Sequence, residues 1–186
     1  RISLTCAAHV REDLGVKPLG KLDYILDGGT CEVGVESTII NLSGSRPEIL
    51  RHGAVTRAML EEVLGCQVPD AGSDAPRASG RLKSHYAPST KLEILKRDQI
   101  ESRLEELSPQ PAAVMASFDP RKTHPNALLF LPSPDTPQGY AHILYEALHQ
   151  LDKAHCSRIL VEEPPQTADW AAVNDRLGRA AADKNA

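Results

Sequence analysis

Between Asp27 and Gly53 the chain sets anion-binding side chains beside backbone that can fold around a ligand. Asp27-Gly28-Gly29 puts flexible main chain at the end of an apolar run, where N–H groups can turn toward a bound group. Gly34-Val35-Glu36-Ser37-Thr38 brings a carboxylate and two hydroxyls into a β-rich run. Strand alternation sends Glu36 and Thr38 to one face and Ser37 to the other. Arg51 ends the next apolar run just ahead of Gly53, and a guanidinium there suits bidentate contact with phosphate. Farther along, His85 and Tyr86 lie in a basic stretch with Arg77, Arg81 and Lys83. Each feature also has a plainer reading. Ser37 and Thr38 serve as ordinary strand residues, Arg51 as a solvated edge, Asp27-Gly28-Gly29 as a turn, and His85-Tyr86 as surface. Residue chemistry alone reaches a pocket for an anion or a nucleotide and stops there.

Other chemistries find no pattern. The seven histidines form no HxxxH or HExxH pair, and the four cysteines (Cys6, Cys31, Cys66, Cys156) form no CxxC, so a metal centre has little support. The cysteines read as free thiols in a reducing compartment. A GxSxG elbow and a GxGxxG loop are both missing, which disfavours a serine hydrolase and a dinucleotide site. Net charge is −4 and aromatics make up 4 % of the 186 residues, which argues against a dedicated nucleic-acid binder. No apolar run is long enough for a transmembrane helix, so a cytoplasmic protein without a membrane contact is expected.

The elements that would hold these residues fall into two blocks. In the first, Cys6 to Leu14 has helical spacing, with Ala7, Val10 and Leu14 on one face. Leu22–Leu26, Val33–Leu42 and Glu48–Arg51 read as strands, and Thr56 caps a helix that ends at Gly65. Periodicity then disappears from Cys66 to Pro88, a stretch long enough to be more than a connection. Beyond it strands at 92–95, 112–117, 127–131 and 158–162 alternate with helices at 98–107, 139–154 and 170–182. That order predicts a parallel sheet covered by helices. The expected class is α/β: a first block at 1–65, a linker at 66–88 and a small Rossmann-like block at 89–186.

The ordered series of motifs resembles the YrdC-type threonylcarbamoyl-AMP synthases in their long, two-domain form. DGGTCEVGVESTIINLSGSRPEILRHGAVT (Asp27 to Thr56) is similar to that family's DGG…GxESTxxxL…LRxGxxT pattern. APRASGRLKSHYAP (Ala75 to Pro88) resembles its linker, and AAVNDRLGRAA (Ala171 to Ala181) its closing helix. Ser3-Leu4-Thr5 with Ala8-His9-Val10 is similar to the family's SPT…HV segment, with Leu4 in place of Pro.

The resemblance implies the C-terminal part of a YrdC-like twisted α/β domain, a lid linker and a Rossmann-like accessory domain. It implies synthesis of threonylcarbamoyl-AMP from L-threonine, bicarbonate and ATP with Mg2+, releasing pyrophosphate. The product would pass to a threonylcarbamoyl-transferase machinery for the t6A modification of tRNA. By the same resemblance Ser37 would contact threonine, Arg51 and Ser3 the nucleotide phosphates, and Tyr86 would close over the nucleotide. The family's N-terminal Lys-Arg segment and its SANxSG motif have no counterpart in these residues, so the chain is expected to be inactive alone. A second reading is a binder of tRNA or double-stranded RNA, using Arg46, Arg51, Arg57, Arg77, Arg81 and Lys83.

Overall fold

The computed structural model describes residues 2–72, 74–76, 78–79 and 86–182. The predicted positions Arg77, Gly80, Arg81, Lys83 and His85 lie outside the described residues.

The parallel sheet holds β3 (Leu92–Leu95), β4 (Ala112–Ala116), β5 (Ala127–Pro132) and β6 (Arg158–Glu162) in the order β3-β6-β4-β5. All its pairings are parallel. Both faces are covered, so β4 is apolar and buried throughout rather than alternating. Ala113, Met115, Ile159 and Val161 point to one face, against α4 (Pro137–Lys153) and α5 (Ala171–Ala181). Ala112, Val114, Ala116 and Leu160 point to the other, against Ile100, Leu104 and Leu107 of α3 (Arg97–Leu107). The alternation of strands and helices is the one the sequence predicts, and the sheet is parallel as expected. The strand and helix bounds agree with it to within a few residues.

The first block pairs β1 (Ile39–Asn41) with β2 (Glu48–Arg51) as a separate antiparallel ribbon. Two short helices flank it, α1 (Ala7–Leu14) and α2 (Arg57–Leu64). Thr56 caps α2 through a bond from the Met59 N–H, and Gly65 ends it in the left-handed conformation. Both were legible as capping chemistry.

Three expectations for this block fail. Leu22–Leu26 is not a strand; only Leu22 makes an isolated bridge, with Val16, and Tyr24 and Leu26 are exposed. A short apolar run without a neighbouring strand has nothing to pair with. Only 39–41 of the 33–42 run is strand. Its first part is held off by Gly34, whose φ is +80° and whose hydrogen lies against the Ala141 carbonyl of α4, where any Cβ would collide. The inward residue of α1 is His9 rather than Ala7, Val10 and Leu14, which stay half-exposed. His9 accepts from the Thr5 N–H at Nδ1, faces Glu146 at 3.1 Å and stacks on His149.

The two sheets share no strand pairing, yet the first block rests on α4. His142 donates to the Glu32 carbonyl (2.6 Å), Tyr145 to Glu36 (2.9 Å), His149 to the Ser3 carbonyl (3.1 Å) and Lys153 to Glu12 (2.9 Å). These four positions recur at helical spacing and form one stripe. Ile2, Val35 and Tyr86 join the same apolar cluster as α4 and α5.

Candidate functional site

The Arg51 side chain is buried at the end of β2. Its Nε donates to the Ser37 carbonyl (3.0 Å), Nη2 to Ser37 Oγ (3.3 Å) and Nη1 to the Ser79 carbonyl (3.1 Å). The ribbon register places β2 beside the 37–39 segment, and Gly53 lets the chain turn tightly there. A Cβ at Gly53 would collide with the Thr38 N–H and the Glu36 carbonyl. Thr38 is tied away from Ser37 by its hydroxyl, which donates to the Val55 carbonyl at 2.6 Å. Ser37 itself is exposed. A fixed guanidinium beside an open hydroxyl is a site for an anion with a hydrogen-bonding neighbour.

One residue earlier, Glu36 gathers a second cluster. Arg176 Nε donates to Glu36 Oε2 (2.8 Å), the Tyr145 hydroxyl donates to the same oxygen (2.9 Å), and Ser3 Oγ donates to Oε1 (3.0 Å). Arg176 is fully buried and also donates to the His52 carbonyl (2.9 Å) and to Asp175. Burial alone would raise the Glu36 carboxyl, but Arg176 and Tyr145 outweigh it and bring the carboxyl down to about 2. Glu36 is therefore a carboxylate with its acceptor capacity engaged. Burial, then the Glu36 charge, raise the phenol of Tyr145 and push that of Tyr86 up to about 12.

The four sequence-predicted residues are thus brought near one another. Ser37 and Arg51 touch directly, and Ser3 meets Glu36, the neighbour of Ser37. Tyr86 lies against Tyr145 with ring centroids 5.2 Å apart, close enough to Glu36 and Arg51 to feel both charges. Its backbone has φ +63°, uncommon for a residue with a Cβ, and its ring is buried. Asp27-Gly28-Gly29 stands apart as an exposed turn, with the Gly29 N–H donated to Asp27 Oδ1. Of the basic residues considered for RNA, Arg46 faces Glu48 (3.5 Å) and Arg57 faces Asp70 (2.8 Å). All four cysteines are free. Among the described residues, Cys6, His9 and Glu146 could offer ligand atoms to a metal. Both ring nitrogens of His9 are already engaged there.

Residues 55–182 match the protein family described as threonylcarbamoyl-AMP synthase, C-terminal domain. The chain belongs to the threonylcarbamoyl-AMP synthase family. Residues 1–53 match a second family, described as telomere recombination. The threonylcarbamoyl-AMP synthase of Pyrococcus abyssi is 30% identical over 96% of this chain and 54% of its own length. That of Bacillus subtilis is 29% identical over 96% of this chain and 53% of its own. The crystal structure of P. abyssi Sua5 complexed with L-threonine superposes with a TM-score of 0.79 at 30% identity, covering 97% of this chain and 54% of that one. The chain spans about half the length of the curated relatives it matches.

Sequence reasoning missed the Glu36–Arg176 pair as part of this site in the synthase-family chain. Glu36 was visible as a carboxylate beside Ser37, but its partner is 140 positions away. One signal was present. Val173, Arg176, Leu177 and Ala180 share a buried face of α5, and an arginine on an apolar stripe needs a partner.

Proposed function

We propose that these residues form part of the active site of an L-threonylcarbamoyladenylate synthase, in which Ser37 binds threonine and Arg51 and Ser3 bind the phosphates of ATP. The observation that carries this reading is the buried Arg51 guanidinium fixed on Ser37, which joins an anion binder to a hydroxyl in one rigid unit. The parts divide as a catalytic portion at 1–65, a linker at 66–88 and an accessory domain at 89–186. Substrates are L-threonine, bicarbonate and ATP, and the products are threonylcarbamoyl-AMP and pyrophosphate. The product then serves a threonylcarbamoyl-transferase machinery acting on tRNA in the cytoplasm.

Arg51 contributes by holding charge where the triphosphate lies. The nitrogen that meets the Ser79 carbonyl is the one free to exchange it for a phosphate oxygen. Tyr86 covers the nucleotide from the linker and excludes water from the reactive carbamoyl intermediate. Glu36 holds Ser3, Tyr145 and Arg176 in place, and a carboxyl lowered to about 2 with its oxygens engaged is too weak a base to take a proton in the reaction. With both oxygens already hydrogen-bonded, Glu36 does not fit as a ligand to Mg2+. The metal is left to the ATP phosphates. Arg46 and Arg57 are paired with acids, so the cleft suits small molecules better than RNA.

The test is pyrophosphate release from ATP that depends on both threonine and bicarbonate, in a protein carrying these residues with the complete catalytic domain. Release abolished by Arg51→Ala supports the reading. Release unaffected by that substitution removes Arg51 and the proposed site.

A further inference from the structure

The accessory sheet carries a cavity of about 370 Å³ at the carboxyl ends of its strands. Ser117 follows β4, Ser133 follows β5 and Glu162 ends β6, and all three line it. The chain leaves β4 toward the α3 face, where Phe118 packs, while β6 leads to α5 on the opposite face. Neighbouring strands whose exits diverge leave a crevice between their carboxyl ends, the usual ligand position in open α/β sheets. The Ser117 N–H spans this crevice to Glu162 Oε2 at 2.5 Å.

The lining is acidic and aromatic. Tyr140 and Trp170 meet edge to face with centroids 5.7 Å apart, and Asp135, Glu162 and Glu163 stand around them. No Lys or Arg pairs with these three carboxylates among the described residues. Arg97, which reaches the edge, is held on Ser117 Oγ (3.1 Å) and over the Phe118 ring (4.9 Å). The decisive feature is the Tyr140 hydroxyl. Tyr140 is only 2% exposed, and its hydroxyl is a buried polar atom without a hydrogen-bond partner among the described residues. Such groups are rare because an unmet hydroxyl is costly in a packed interior. Burial and the nearby Glu162 charge both keep the phenol protonated.

We propose that this crevice binds a small organic cation, a primary ammonium on a short aliphatic chain, through Tyr140, Glu162 and Asp135, with Trp170 against the chain. An ammonium has three N–H donors and no acceptor, which matches carboxylates lacking cations and the lone pairs of the phenol oxygen, whose own O–H is left to turn toward a carboxylate. The Trp170 ring and the Pro164-Pro165 rings give the methylenes an apolar wall and the charge an aromatic neighbour. A hard divalent metal fits less well. It needs several oxygens converging on one point, and these three carboxylates are not a convergent group. The proposal is independent of the nucleotide site.

Titration calorimetry of this chain with 1,4-diaminobutane tests it, with 1,4-butanediol and succinate as neutral and anionic probes of similar length. The diamine is expected to bind and the other two not. Tyr140→Phe should weaken the diamine about tenfold or more, the range for a hydrogen bond to a charged group. The melting temperature of that variant should not fall, because the hydroxyl has no protein partner to lose. Asp135→Asn, at the exposed rim, should weaken the diamine without affecting the fold. The site is overturned by absence of diamine binding, by equal binding of the diol, by preferred binding of succinate, or by undiminished affinity in Tyr140→Phe.

Discussion

Glu36 and Arg176, 140 positions apart, meet at 2.8 Å, and the arginine side chain of that pair is wholly buried. The contact ties the segment that precedes Ser37 to the last helix of the accessory sheet. It also explains how a first block with little core of its own is held. Its exposed apolar residues include Leu19, Tyr24, Leu26, Leu42 and Val63, while α4 and α5 supply the packing it does have.

Removing one member of that pair should be severe. Arg176→Ala is expected to cost about 3–5 kcal/mol, because Glu36 would be left without its counter-charge in a part-buried place. Urea unfolding measures this, and Glu36→Gln combined with Arg176→Ala should recover part of the loss. A cost within error of zero would show that the pair does not hold the blocks.

The Glu36 carboxyl also predicts an acid limb. Its folded value of about 2 lies below the ordinary 4.5, so its contribution is complete above about 4.5. It is lost as pH falls from there toward 2, when protonation removes the charge facing Arg176. Stability followed between pH 6 and pH 2 should fall less steeply in Glu36→Gln than in the parent chain. Parallel curves would assign the acid limb to other groups.

At the proposed nucleotide site, Arg51→Ala should weaken ATP binding by ~1.5–3 kcal/mol in a protein with the complete catalytic domain. Arg51→Lys should recover only part, since a point charge replaces a planar fork. Because Arg51 holds both the carbonyl and the hydroxyl of Ser37, threonine affinity should fall in the alanine variant too. Isothermal titration with each substrate separates these effects, and intact threonine binding would place Ser37 outside Arg51's control.

The linker prediction rests on Tyr86. Its buried ring, packed on Tyr145, anchors the C-terminal end of the 66–88 segment beside Glu36. Protease cleavage within 66–88 should slow when ATP is added, and Tyr86→Ala should abolish that protection. Equal cleavage with and without ATP leaves the segment as a tether only.

What the sequence determined by itself is the accessory sheet and the identities of the candidate site residues. The strands at 92–95, 112–116, 127–132 and 158–162 are local apolar runs bounded by breakers, and α2 carries its own cap and stop, so short-range chemistry suffices. Ser37 and Arg51 were visible as a hydroxyl in a β-rich run and a guanidinium just ahead of Gly53, and the family resemblance supplied the roles expected of them. Tertiary structure decided the rest. Leu22–Leu26 is a short apolar run that reads as a strand yet has no partner edge, and 33–38 is drawn onto α4 by Gly34 instead of pairing. The Glu36 hub and the orphaned Tyr140 hydroxyl depend on which distant side chains share a volume. Periodicity encodes which face of an element turns inward, but not the partner that face will meet.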